Sequence, residues 1–120
     1  MTRVASTVLV GILSLAPMKA FAFMSVADYV GEKDAANRAA NKIFLSGIVQ
    51  GLQTYNGVQM ADKQRVIFCV PPALAIGENK ADNILSKWAE VRQGQATDKL
   101  PIGLGMMYAL AEAFPCQKSN

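Results

Sequence analysis

Two cysteines constrain the fold of this chain more than any other feature. Cys69 and Cys116 are the only cysteines in 120 residues, and 47 positions separate them. Closing a loop of that length stabilises a fold by about 4 kcal/mol in the chain-entropy treatment, if the bond is unstrained. A zinc site or a catalytic thiol is disfavoured because the chain has no histidine. We expect one structural disulfide, with an intermolecular bond or a reactive thiol as the alternative.

The first 22 residues have the three parts of a bacterial secretory signal. Arg3 is followed by the largely apolar run Val4–Ala16, and Ala20-Phe21-Ala22 supplies the small residues of a cleavage site. The apolar run has 13 residues, whereas a membrane-spanning helix needs about 20. We therefore expect cleavage after Ala22, with no membrane anchor left and residues 23–120 in the periplasm, where disulfides persist. An uncleaved anchor or a buried N-terminal helix is the alternative.

The charge of the chain falls once this signal is removed. The full chain has 12 Lys and Arg against 9 Asp and Glu, a net charge of +3. Arg3 and Lys19 are the only charged residues of the signal, so ten cations remain against nine acids and the net charge is +1. The cations are scattered, which argues against a nucleic-acid or membrane-surface partner. The length of residues 23–120 fits a single domain.

The first two helices are predicted from a capping motif and from apolar spacing. Ser25 and Asp28 form a capping-box pattern at the start of a short helix that Gly31 ends or kinks. A longer helix is predicted from about Asp34 to Tyr55, ended by Asn56-Gly57. Its predicted apolar face consists of Phe44, Ile48, Leu52 and Tyr55, widened by Ala40 and Leu45.

Glycines inside the helical patterns predict close backbone contacts. Gly47 and Gly51 lie one turn apart, and each costs about 1 kcal/mol in a helix interior. We expect them to allow another backbone to approach, inside the domain or across a homodimer. Gly103 and Gly105 predict the same for the last helix.

Two more helices complete the expected architecture. The first runs from Glu78 to about Arg92, with Trp88 as a core anchor; its apolar positions are Ala81, Ile84, Leu85, Trp88 and Val91. The second is capped by Thr97 or Asp98, and its apolar positions are Ile102, Met106, Leu110 and Phe114. The segment 66–70 is predicted to be held on the core by the disulfide. The sequence predicts an all-α domain of four to five helices closed by one disulfide.

Catalytic chemistry is not indicated. Histidine, the commonest general base, is missing, and no two acids are placed to face one cleft. No nucleophile-elbow serine or phosphate-binding glycine loop occurs. We expect neither a metal nor a cofactor, and we expect a binding protein rather than an enzyme.

Four stretches of the chain resemble one known family. They are Phe44-Leu45-Ser46-Gly47-Ile48-Val49-Gln50-Gly51-Leu52, Phe68-Cys69-Val70-Pro71-Pro72, Ile84-Leu85-Ser86-Lys87-Trp88 and Ala109-Leu110-Ala111-Glu112-Ala113-Phe114-Pro115-Cys116. This layout, over about residues 40–116, is similar to that of the Rap/Tai immunity proteins associated with type VI secretion. The last stretch is the most specific. The loop 93–100 departs from the pattern, which leaves the choice of partner open.

The resemblance implies an activity and a partner. Members of that family are periplasmic, helical and often dimeric. They bind a toxic effector, in one branch a peptidoglycan amidase with a papain-like Cys/His site, and they neutralise it by covering its cleft. The resemblance thus implies a homodimeric inhibitor of a cell-wall amidase.

A polar segment between the last two helices is the candidate effector-binding element. Its residues are Arg92, Gln93, Gln95, Thr97, Asp98 and Lys99. An ordinary solvated connector is the alternative, and the loop Asn56–Arg65 is a second candidate surface. Two rival functions remain: a periplasmic acid-stress chaperone, and an envelope-binding domain without a toxin partner.

Overall fold

The computed structural model describes residues 24–118, and the predicted export signal 1–22 lies outside them. Four α-helices follow one another along the described residues: α1 (Val26–Gly31), α2 (Ala35–Ala61), α3 (Glu78–Glu90) and α4 (Ile102–Ala113). A short 3-10 helix, Ala96–Lys99, precedes α4. The described part contains no β-strand, only a single bridge between Ser25 and Pro101. The predicted all-α architecture of four to five helices is confirmed.

Side-chain caps begin α1 and α2. The hydroxyl of Ser25 accepts from the Asp28 N–H at 3.1 Å, and the Asp28 carboxylate accepts from the Ser25 N–H at 3.1 Å. This is the predicted capping box, which satisfies two donors that a helix start leaves free. Asp34 caps α2 by accepting from the Asn37 N–H at 2.9 Å. Since α1 ends at Gly31, this short helix matches its prediction at both ends.

The core forms where α2, α3 and α4 pack together with α1 across one end. Trp88 is only 7% exposed, as expected of a core anchor. The other large buried side chains are Val26, Tyr29, Leu45, Val49, Phe68, Ile76, Leu85, Ile102, Met106 and Leu110. No helix within residues 24–118 is long and apolar enough to cross a membrane.

The helix α2 is longer than predicted, because Asn56-Gly57 does not end it. Asn56 faces inwards and is buried. Its amide donates to the Phe68 carbonyl, and its side-chain oxygen accepts from the Ile67 N–H at 3.1 Å. The asparagine therefore joins the helix to a later segment, and α2 continues to Ala61. Most of the predicted loop 56–65 is thus helical.

The buried face of α2 also differs from the predicted one. Phe44 is 47% exposed and Tyr55 is 53% exposed, whereas Leu45 and Val49 are fully buried. Ile48 and Leu52 lie at the edge of the core. The helix carries apolar residues on two faces, and packing against α3 and α4 uses the face centred on Leu45 and Val49.

Of the four glycines that were expected to allow a close contact, only Gly105 makes one. A Cβ atom at Gly105 would overlap the Val26 side chain and touch Leu85 and Trp88, so this part of α4 requires glycine. Gly47, Gly51 and Gly103 have no such neighbours within 4 Å of the position of a Cβ atom. The expectation of close packing inside the domain is therefore wrong for these three positions.

The disulfide joins Cys69 to Cys116 and so holds the segment 66–70 against the end of α4. The Cys69 N–H donates to the Phe114 carbonyl at 2.8 Å, and Phe68 is 2% exposed. The predicted pairing and the predicted position of the segment are both confirmed. A disulfide of this kind indicates an oxidising, extracytoplasmic environment.

The C-terminal end of α3 and the N-terminal end of α4 differ from those predicted. Val91 follows the end of α3 and is 70% exposed, so it does not extend the apolar face of that helix. Thr97 and Asp98 do not cap α4, because they belong to the 3-10 helix and α4 begins after Pro101. Pro101 is the N-cap residue, and its carbonyl accepts from the Gly105 N–H at 3.0 Å.

Candidate functional site

The candidate site is the connecting segment, residues 92–99, which joins α3 to α4. It begins in the turn after α3 and ends with the 3-10 helix. Gly94 has φ +81°, a left-handed conformation that glycine adopts without steric cost. The Asp98 carboxylate accepts from the Gly94 N–H at 2.7 Å and closes the segment on itself. Asp98 therefore shapes the segment from within.

Arg92 fixes the start of the connecting segment to both neighbouring helices. Its guanidinium lies 4.6 Å from the centre of the Trp88 ring and donates to the Trp88 carbonyl at 2.9 Å. It also forms an ion pair with Glu112 of α4. A planar guanidinium can stack on an aromatic ring and donate to a carboxylate at the same time. The positive charge of Arg92 is therefore balanced by Glu112 of the same chain.

Backbone bonds to the N-terminal stretch fix the other end. The Val26 N–H donates to the Leu100 carbonyl, and the Ile102 N–H donates to the Met24 carbonyl, both at 2.9 Å. Leu100 packs against the core. Both ends of the connecting segment are therefore tied to regular structure, and its exposed part is short.

Three of the six predicted site residues face solvent, and three do not. Gln93, Gln95 and Lys99 are exposed, as is Ala96. Arg92, Thr97 and Asp98 are half-buried. The Thr97 hydroxyl oxygen is buried and has no hydrogen-bond partner among the described residues. The structure thus presents two amides and one ammonium group on a segment that is held by internal bonds.

An exposed apolar patch lies beside the start of the connecting segment, and sequence reasoning missed it. Tyr108 of α4 is 51% exposed, and its ring stacks on Trp88 with centroids 6.4 Å apart and planes within 7°. Val91 and Leu104 are exposed as well. The spacing of four between Leu104 and Tyr108 was the available signal, since it marks a second apolar face of α4. Exposed aromatic groups beside a polar rim are common in protein interfaces.

A groove of about 440 Å³ runs along another side of the connecting segment, between α1 and α3. Val30 and Ala89 contribute apolar surface to it, and Glu90, Gln93 and Asp98 lie along it. The exposed amide of Gln93 therefore stands at the edge of a shallow depression. An extended segment of a partner fits such a depression better than a deeply buried small molecule does.

Two titrating groups near α1 have shifted pKa values. Hydrogen bonds from the hydroxyl and the backbone N–H of Ser25 lower the pKa of Asp28. Burial raises the pKa of Tyr29 well above its usual value, and so does the hydrogen bond at 2.8 Å that its hydroxyl donates to Asp82. Asp82 also pairs with Lys42 at 3.6 Å. Tyr29, Asp82 and Lys42 therefore connect α1, α3 and α2, whereas Asp28 acts only at the start of α1.

Within residues 24–118, no three side chains of the metal-binding types come together.

Comparisons of the chain with protein-family models, with curated proteins and with solved structures find no match.

Proposed function

We propose that this chain is a periplasmic immunity protein that binds a toxic effector, a peptidoglycan amidase delivered by type VI secretion, and covers its active-site cleft. The observation that carries the proposal is the connecting segment 92–99, an internally bonded polar turn between two core helices with Gln93, Gln95 and Lys99 exposed. Binding, without catalysis by this chain, is the proposed activity. The predicted signal 1–22 would deliver the protein to the compartment of the amidase's substrate.

Rigidity is the property that suits the connecting segment to this task. A loop that is ordered only on binding loses conformational freedom, which weakens the complex. Here Arg92 and Asp98 already hold the backbone in place, so Gln93, Gln95 and Lys99 can be presented with little further ordering. Amide side chains can both donate to and accept from the backbone groups that line a cleft.

The neighbouring apolar patch adds to the proposed interface. Tyr108 stacks on the buried Trp88, so its ring is held in place before a partner arrives. Aromatic anchors of this kind contribute a large share of binding energy in many interfaces. The resemblance of residues 40–116 to the Rap/Tai immunity proteins supplies the class of partner.

Co-expression tests the function directly. The protein is exported to the periplasm together with a peptidoglycan amidase found in its gene neighbourhood, if one is encoded there, and both lysis and recovery of a complex are measured. We expect protection from lysis and a stable complex. Lysis with no complex would contradict the proposal and would make a holdase assay at pH about 2–3, below the usual carboxylate pKa values, the next experiment.

Three matched substitutions locate the binding surface. Gln95→Arg places a bulky cation on the connecting segment, Gln64→Arg does so in the turn after α2, and Gln117→Arg does so near the C terminus; all three positions are exposed. We expect Gln95→Arg to weaken binding at least tenfold, or by about 1.4 kcal/mol or more, and Gln117→Arg to have no effect. Loss of binding through Gln64→Arg alone would instead assign the interface to the second candidate surface.

A further inference from the structure

A cavity of about 590 Å³ lies between the first turns of α2 and the start of α3, away from the connecting segment. We call it the α2–α3 cavity. Its volume is within the range of sites that bind small molecules. Ala39 and Ile43 give it apolar surface, and its charged lining residues are Lys33, Arg38, Lys42 and Glu78.

The charges of α2 are concentrated in this cavity. Arg38 and Lys42 are the only charged residues among the 27 of α2, and both line the α2–α3 cavity. They lie one turn apart, where two like charges repel each other. The rest of the helix, from Ile43 to Ala61, carries no charge. A helix that needed cations only for solubility would spread them along its length, so their placement favours a negatively charged group between them.

Ion pairs inside the protein leave part of this charge unbalanced. The Lys42 ammonium group pairs with Asp82 at 3.6 Å and is thereby held against α3. Lys33, Arg38 and Glu78 are exposed and form no ion pair within residues 24–118. Two cations and one carboxylate of the cavity are therefore available to a ligand.

The acids that precede α2 are bonded to the backbone instead. The Glu32 carboxylate accepts from the Asp34 N–H at 2.9 Å, and the Asp34 carboxylate accepts from the Asn37 N–H at 2.9 Å. These bonds hold both acids at the start of the helix, where they complete its cap. They therefore do not replace an anion in the cavity.

We infer that the α2–α3 cavity binds a small zwitterionic molecule, a free amino acid or short peptide, whose carboxylate bonds to Arg38 and whose ammonium group pairs with Glu78. A guanidinium can donate two parallel hydrogen bonds to one carboxylate. Lys33 adds to the positive potential, and Ala39 and Ile43 offer contacts to the side chains of the ligand. This binding activity goes beyond the proposed function and does not depend on it.

The mixture of charges favours this class of ligand over a simple ion. A phosphate or another wholly anionic molecule would place its charge beside the Glu78 carboxylate, and like charges repel. A simple amine would meet the same repulsion from Lys33 and Arg38. At neutral pH an amino acid or peptide carries both charges, so each of them finds a partner in the cavity.

Four probes separate the contributions of the two charges. Alanyl-alanine carries both, its N-acetyl derivative keeps only the carboxylate, its amide keeps only the ammonium group, and inorganic phosphate is wholly anionic. Each is titrated into the purified, oxidised and isotope-labelled protein, and the backbone amide chemical shifts are followed by NMR. Because water and salt screen exposed ion pairs, we expect a dissociation constant of about 1 mM for alanyl-alanine.

We expect alanyl-alanine to shift the amides of residues 38–43 and 78–79 along one saturating curve. The other three probes should bind more weakly by about threefold or more, since each lacks one of the two ion pairs. Equal binding of all four probes would overturn the inference, because it would show unspecific attraction of ions. Shifts spread evenly over the surface would overturn it as well.

Matched substitutions test the two residues that hold the ligand. Arg38→Gln should weaken alanyl-alanine binding by about fivefold or more, because two charge-assisted hydrogen bonds are lost. Glu78→Gln should weaken it too, but should not weaken binding of the N-acetyl derivative, which has no ammonium group. Arg65→Gln and Glu90→Gln remove the same charges at exposed positions outside the cavity and should change neither affinity.

Circular dichroism should show equal helix content in wild type and all four variants. Unchanged affinity of Arg38→Gln for alanyl-alanine would overturn the inference. An equal loss in Arg65→Gln would do so too, because it would assign the effect to the net charge of the protein.

Discussion

Asn56 shows how one polar side chain can set the path of a long stretch of chain. It lies inside α2 and is 7% exposed, yet both ends of its amide are bonded to the backbone at Ile67 and Phe68. The Ile67 N–H and the Phe68 carbonyl lie outside any helix or strand, so the Asn56 amide supplies the partners that a neighbouring strand would otherwise provide. These bonds hold Phe68 in the core.

We expect Asn56→Ala to destabilise the protein by about 2–3 kcal/mol, because it leaves a backbone donor and a backbone acceptor without partners. Urea unfolding measures the loss. Thr54→Ala is the matched control, since Thr54 is exposed on the same helix and bonds only to the Gln50 carbonyl of its own turn. Equal effects of the two substitutions would show that the bonds of Asn56 add no stability.

Tyr29 gives the protein a defined response to alkali. Its pKa is raised in the folded state by burial and by its bond to Asp82, whereas an unfolded tyrosine ionises near pH 10. Below that pH both states keep the proton and the stability is complete. Above it the unfolded state loses the proton first, so stability declines as the pH rises further.

Tyr29→Phe should therefore flatten the alkaline limb of the stability curve, while costing about 1–2 kcal/mol at pH 7 through loss of the bond to Asp82. Urea unfolding at pH 7, 9 and 11 compares the variant with wild type. The pair Lys42–Asp82 is present in both proteins, so the difference between the two curves isolates the tyrosine. Parallel curves would mean that Tyr29 does not cause the decline.

At the scale of the helices, one glycine lies in a tightly packed position and another lies in an exposed one. Gly105 is needed because α4 lies directly against Val26, whereas Gly47 of α2 is open to solvent. The same substitution should therefore act in opposite directions at the two positions. We expect Gly47→Ala to stabilise the monomer by about 0.5–1 kcal/mol through helix propensity. Gly105→Ala should destabilise it by about 1–3 kcal/mol through overpacking.

Thermal unfolding of the purified, oxidised proteins measures both effects. A stabilising Gly105→Ala would show that α1 can move away from α4 without cost. A destabilising Gly47→Ala would show that the open surroundings of Gly47 are occupied in solution.

The helices could be predicted from sequence to different degrees, for physical reasons. Trp88 of α3 and Met106 of α4 lie in the core, as their spacing predicts. The pattern of α3 has one dominant apolar face, whereas α4 is apolar on most sides, so its spacing alone did not reveal that Tyr108 is exposed. The pattern of α2 could not fix its buried face, since Phe44 and Leu45 belong to competing faces and only the packing against α3 and α4 decides between them. Spacing alone contains no such information.

The candidate site shows the same limit. The position of the connecting segment could be read from its polarity between two helices. The internal roles of Arg92 and Asp98 could not, because they depend on Glu112, twenty positions away in the chain, and on the left-handed turn at Gly94. The exposed side chains of Gln93, Gln95 and Lys99 are what remain of the predicted surface.

At the scale of the whole molecule, one covalent bond closes the fold. The bond Cys69–Cys116 encloses the described residues of α3, the connecting segment and α4, and it fixes the segment after α2 to the end of α4. The connecting segment and Tyr108 both lie within this loop.

We expect the double substitution Cys69→Ser and Cys116→Ser to lower the free energy of unfolding by about 4 kcal/mol, the value for closing a loop of 47 residues. For a domain of this size the corresponding fall in the midpoint of thermal unfolding is roughly 20 °C. Calorimetry of the oxidised wild type, the reduced wild type and the double variant measures it. The reduced protein and the variant should agree, because both lack the same constraint on the unfolded chain. A fall of only a few degrees in both would mean that the contacts of Phe68 and Phe114 hold the ends of the loop together without the bond.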